Sequence, residues 1–156
     1  MPVKARVKMD NKKLRELIRS FENTPKFRIG ILADSTRTDG QSNVKIGAVH
    51  ELGLSKHRVR SFIMMPMYDD FFNDFSRRYL PGEVADTLFS GPNGTRKLVE
   101  SFASSALQTI LDAFDREGSS INPWYPSDMS HKKVHQTLTE TGQLRDSISW
   151  EIVDDN

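Results

Sequence analysis

Reactive residue types are sparse in this chain, and the densest group is His50-Glu51, with His57 shortly after it. A histidine beside a glutamate suggests a metal-bound water activated by a carboxylate base. That chemistry needs two imidazoles one helical turn apart, so that both aim at one ion. Position 54 is Leu, and His57 lies beyond Gly53, so helical geometry is not expected to bring the two histidines together. His131 and His135 do have the i, i+4 spacing, with Asp128 before them, but Pro126 opens that region and no further ligand is evident. They read as polar histidines on a solvated turn. Adjacent Asp69 and Asp70 diverge by about a quarter turn on a helix, so they are expected to form an exposed acidic face and not an acid–base couple. The stretch Gly91-Pro92-Asn93-Gly94-Thr95-Arg96-Lys97 lacks the Gly-Lys-Ser/Thr ending of a phosphate loop, and Pro92 removes one amide from any cradle. No Gly-x-Ser-x-Gly elbow occurs. The expectation is a non-enzymatic protein with no catalytic residues, no cofactor and no metal.

Composition narrows the partners. The 156 residues contain no cysteine, which excludes disulfides and thiolate sites and fits assembly in a reducing cytoplasm. No apolar run approaches the roughly 20 residues of a membrane span. The basic start has no apolar core of the kind a signal peptide carries. Basic and acidic side chains nearly balance, 22 against 21, so whole-protein attraction to nucleic acid is not indicated. Their distribution is uneven: nine Lys/Arg lie in residues 1–30, whereas residues 139–156 hold five Asp/Glu against Arg145. The two ends are either solvated or complementary between neighbouring subunits. Lys12, Arg15 and Arg19 on the first helix, with Lys56 and Arg58 further on, are the candidate contacts to DNA or a protein partner. A mean hydropathy of -0.54 is low for a chain that buries its own core completely, which points toward an oligomer.

The elements that must position these residues follow from periodicity. Leu14, Leu17, Ile18 and Phe21 place an amphipathic helix over Asn11–Asn23, capped by Asp10 or Asn11 and ended by Pro25. Phe27, Ile29 and Ile31 alternate as a strand. Asp34–Asn43 reads as a mobile loop, and Val44–Leu52 as a short helix closed by Gly53. Val59–Phe62 reads as extended. A helix is expected from Pro66 to Tyr79 on the stripe Met67, Phe71, Phe75 and Tyr79, flanked by Phe72. Pro81–Gly94 reads as a second long loop. The longest helix is expected from Thr95 to about Glu117, with Val99, Phe102, Ala106, Ile110 and Phe114 on one side. Asn122–Pro126 breaks regular structure, polar residues continue to about Thr137, and Ile148, Trp150 and Ile152 alternate as a final strand. The sum is one α+β domain over residues 1–156: a small, largely antiparallel sheet with a long helix packed on one face and long mobile loops.

Two blocks of residues carry a resemblance. His50, Glu51 and Gly53 followed by Arg60 and Phe62, and later Leu138, Thr141, Gly142, Leu144, Ser147 and Ile148, resemble the paired motifs of phage tail-completion and head–tail joining proteins. Minor tail protein Z-like and virion-morphogenesis proteins belong to that group. Arg58, Ser61 and Thr137 depart from it where prolines are usual. The resemblance implies a structural protein of the virion neck, assembled in the host cytoplasm into a ring, commonly of six copies, that completes the tail. Its expected neighbours are a head-closure or adaptor protein on one side and a tail terminator or tail tube on the other. Genomic DNA would pass nearby through the channel, and no membrane would be involved. His50, Glu51, Gly53, Arg60, Phe62, Leu138, Thr141, Gly142 and Leu144 become structural or assembly residues. His50 and Glu51 would hydrogen-bond or pair with Arg60, or else contact a neighbouring subunit, and Thr141 would cap the turn at Gly142. Two alternatives stay open: a tail-terminator or head-closure ring, and a small nucleic-acid-binding or metal-dependent protein.

Overall fold

A computed structural model describes residues 11–22, 24–33, 36, 40–54, 57–91, 93–125, 138 and 142–153. Its order is α1 (Asn11–Glu22), β1 (Lys26–Ile31), α2 (Asn43–Leu52), α3 (Met64–Pro66), a π-helical turn (Met67–Phe72), α4 (Phe75–Arg78), α5 (Pro81–Leu88), α6 (Gly94–Arg116), α7 (Gln143–Asp146) and β2 (Ile148–Val153). The class is α+β, as the periodicities require. β1 and β2 form a two-stranded antiparallel sheet in which Phe27 faces Ile152, Ile29 faces Trp150 and Ile31 faces Ile148. Because side chains alternate, that register collects these six apolar residues on one face and leaves Arg28 opposite Glu151, and Lys26 opposite Val153, on the other.

The apolar face meets α6. Val99, Ala103, Ala106, Ile110 and Ala113 repeat every three or four residues and are all buried, with Phe114 beside them. Small residues at 103, 106 and 113 let neighbouring backbones approach, while Ile110 and Phe114 supply the apolar bulk. Phe62, Ile110, Phe114, Trp124, Leu144 and Ile148 make the central cluster, and Ile29, Ile31, Ile46, Ile63, Met67, Leu107 and Leu138 pack against it. No helix among the described residues is long and apolar enough to cross a membrane.

Three expectations about the segments after Phe62 are corrected. The helix expected over Pro66–Tyr79 begins at Met64 and is interrupted, first by the π turn and then at Asn73-Asp74. Its inner stripe survives the break: Phe71, Phe75, Tyr79 and Phe102 form an aromatic chain with centroids 5.8 Å (Phe71–Phe75), 5.1 Å (Phe75–Phe102) and 4.4 Å (Tyr79–Phe102) apart. Pro81–Gly94 is not one loop, since Pro81–Leu88 is helical. Pro81 suits the first helical position, where no amide is needed, and half-buried Val84, Ala85 and Leu88 lie on an element packed against α6. An eight-residue helix containing Gly82 offers too little periodicity to be seen in sequence. The third correction concerns Asp69 and Asp70, taken up with the site. The Asp34–Asn43 segment is described only in part: Thr36 bridges Ser42, and Asn43 already belongs to α2.

α1 forms where its spacing places it, yet Ile18 and Phe21 remain 49% and 53% exposed.

Candidate functional site

α2 carries the His-Glu pair into position. Ser42 caps its start by accepting the Lys45 amide, and Gly53 ends it in the left-handed region at φ 66°. A side chain on Gly53 would meet Val59 Cγ2 at 2.6 Å, so both conformation and space require glycine there. The reversal at Gly53 has a consequence that helical spacing alone hides. It returns the chain so that His57 meets His50 edge to face, with ring centroids 5.5 Å apart. The expectation that the break keeps these two histidines apart is therefore corrected. Among the described residues, no group of three or more His, Cys, Asp or Glu side chains surrounds a point that could hold a metal ion.

Glu51 has a different occupation. One carboxylate oxygen accepts the Ser61 hydroxyl at 2.7 Å and the Met64 amide at 2.8 Å. The other accepts the amides of Phe62 at 2.7 Å and Ile63 at 3.1 Å. These amides open the helical segment that begins at Met64, where no preceding carbonyl is available, and the local dipoles favour a negative charge. Ser61 Oγ also accepts the Met65 amide at 2.9 Å. Glu51 is thus a cap supplied from another helix.

Arg60 is not among the donors to Glu51. Its backbone amide donates to the His50 carbonyl at 2.8 Å, while its Nε donates to the Tyr125 carbonyl at 3.1 Å. The expected pinning of α2 to the following segment exists, with backbone groups and Ser61 in place of the Arg60 side chain. Burial, and then the neighbouring Arg58, hold the Arg60 guanidinium below its ordinary pKa. Arg58 itself lies 4.9 Å from the centre of the exposed Tyr125 ring.

The Ser61 carbonyl accepts the indole N–H of buried Trp124 at 3.0 Å. Ser61 and Trp124 were not anticipated: Ser61 occupies a position where the resemblance led us to expect proline, and Trp124 lies in a stretch with no periodic signal.

The second polar cluster faces the loop before Trp124. Asp70 is buried and accepts Arg116 at 2.8 Å and the Ser120 amide at 3.0 Å. Asp69 accepts the Ser119 hydroxyl and, at 2.7 Å, the Asn122 side-chain amide. The wider backbone of the π turn aims both carboxylates at the 118–122 loop, so the expected exposed acidic face does not form. An α-helical projection could not foresee this.

The sequence motifs meet in the core. A Cβ on Gly47 would lie 2.6 Å from Ile31 Cδ1, 3.2 Å from Phe62 Cζ and 3.6 Å from Leu144 Cδ1, which places β1 and both motif blocks around one small residue of α2. Leu138 packs on the same cluster with φ 62°, and Gly142 at φ 69° turns the chain so that Leu144 enters it. No family model, curated protein or solved structure matches this chain. Its site must be read from its own geometry.

Of the remaining candidates, Lys12, Arg15 and Arg19 lie exposed on α1, while Arg58 lies at the Gly53 corner, a separate element. Lys56, Thr141, Asp128, His131 and His135 fall outside the described residues.

Proposed function

We propose that this chain is a non-enzymatic structural subunit of the phage neck, which forms a ring at the head–tail interface and completes the tail. The observation that carries this reading is the use made of the motif residues. Glu51 is fully engaged in capping, Phe62 and Leu144 lie in one core, and Gly53 and Gly142 set the turns that deliver them. Residues that could serve chemistry serve the scaffold, which is what an assembly protein needs from its most recognisable sequence. Large apolar side chains left exposed on α1 and along Met64–Phe72 further support a subunit that buries surface on assembly. In this reading the chain makes a homo-oligomeric ring, of six copies by resemblance, in the virion between a head-closure or adaptor protein and a tail terminator or tail tube. The ring lies close to the passing DNA.

The test is sedimentation of the purified chain over a range of concentrations, alone and with the neck and tail proteins of its virus. Rings, or stable complexes with a neighbour, are expected. A chain that stays monomeric with every one of those components overturns the proposal. Arg58 stacked on Tyr125 favours a second reading, a nucleic-acid contact. It predicts DNA affinity in the isolated chain that falls steeply with salt.

A further inference from the structure

The segment Met64–Phe72 has two faces of different fate. Met67 and Phe71 turn inward. Met64, Met65, Tyr68 and Phe72 turn outward and are 57%, 39%, 72% and 56% exposed, in an almost unbroken apolar stripe. Tyr68 and Phe72 stack edge to face at 6.3 Å, so the stripe has a formed surface. Its charge is one-sided. Asp70 is paired with Arg116, whereas the half-buried Asp69, next to Tyr68 in the chain, has only the uncharged Ser119 and Asn122 as partners among the described residues. Lys and Arg are absent from residues 64–76.

α1 offers the opposite. Ile18 and Phe21 are about half exposed, and the helix carries Lys12, Lys13, Arg15 and Arg19 against Glu16 and Glu22. Arg15 borders Ile18 one turn away, is exposed, and has no ion-pair partner among the described residues. The chain therefore presents two different apolar patches with complementary charge. Identical patches joined face to face close into a dimer and stop, whereas two unlike patches joined head to tail can propagate around a ring.

We propose that α1 of one copy docks on the Met64–Phe72 stripe of the next, with Ile18 and Phe21 against Tyr68 and Phe72, and Arg15 beside Asp69. This rests on the ring-subunit reading and names the surfaces that would build the ring. The pairing is a contact between two helical faces in which apolar anchors supply affinity and the charge pair fixes direction.

Because the chain has no cysteine, each introduced thiol is unique. Full-length Phe21→Cys and Tyr68→Cys chains would be mixed and oxidised, with sedimentation run on the same samples before oxidation. A covalent heterodimer in several-fold excess over both homodimers is expected. Arg15→Glu, an exposed change that leaves the fold intact, is expected to weaken self-association several-fold. Self-association without the heterodimer overturns this pairing while the ring reading stands. A Phe21→Cys, Tyr68→Cys double variant that closes only within one chain also overturns it, since α1 would then cover its own stripe. A chain monomeric alone and with every neck and tail component overturns the ring reading and this inference with it.

Discussion

Glu51 and Asp70 are both carboxylates engaged with backbone amides of a distant segment, and they differ in what balances their charge. Glu51 faces only neutral donors, three amides and one hydroxyl at the start of a helix. Asp70 combines the Ser120 amide with a guanidinium whose own side chain is half solvated. The first charge is stabilised by oriented dipoles, the second by a counter-ion. Between them the two clamps close a circuit: α2 holds the 61–64 segment, the π turn holds the 118–122 loop, and Trp124, which follows that loop, returns its indole N–H to Ser61. The lesson is that an acid beside a histidine, or beside another acid, can have its accepting capacity taken up by the fold.

Breaking the dipole clamp is expected to be the costliest change. Glu51→Ala strands several amides at once, and with each stranded donor costing about 1–3 kcal/mol, partly recovered by water, a loss of about 3 kcal/mol is expected. Urea unfolding of the purified variant measures it. Glu51→Gln is expected to recover only part of that loss, because the carboxamide turns a donor toward donors. A Glu51→Ala variant as stable as the parent would remove the clamp from the account.

Asp70→Ala comes next. It removes one ion pair and one amide contact, and the exposed head of Arg116 regains water, so a loss of about 2 kcal/mol is expected. Hydrogen exchange sharpens the contrast. The amide of Ser120 should lose protection in Asp70→Ala, while those of Phe62 and Ile63 should lose it in Glu51→Ala. Matching exchange patterns in the two variants would show that the clamps are one cooperative unit and not two.

How much of this was legible depends on the range of the interaction. Both strands are read from local alternation and α6 from its helical period, and the structure returns them within a residue or two: α6 runs Gly94–Arg116 against an expected Thr95 to about Glu117. α5 was missed because Pro81 and Gly82 signal a turn just where a short helix begins. The π turn was missed because a helical wheel assumes one period, and with it went the direction of Asp69 and Asp70. At the site, the resemblance implied that His50 and Glu51 hydrogen-bond or pair with Arg60. The bond to His50 exists through the Arg60 backbone amide, whereas Glu51 is held by the Ser61 hydroxyl and three other backbone amides. A cation is the obvious partner in a sequence, whereas a free amide at a helix start becomes visible only once the chain is folded. The approach of His57 to His50 was hidden for the same reason, since it depends on the left-handed turn at Gly53.

The smallest expected effect supplies the control for the comparison. Glu151 pairs with Arg28 across the solvent face of the sheet, and both side chains are largely exposed. It is a carboxylate in a cross-strand ion pair, with no backbone amide engaged among the described residues. Holding two long side chains in water recovers little, so Glu151→Gln is expected to change stability by about 0.5 kcal/mol or less, and by less still at high salt. The three substitutions Glu51→Ala, Asp70→Ala and Glu151→Gln then form a series in which the loss follows the number of backbone amides held and not the presence of a formal charge. If Glu151→Gln cost as much as Asp70→Ala in the same urea titration, charge pairing would account for both, and the distinction between dipole and counter-ion clamps would collapse.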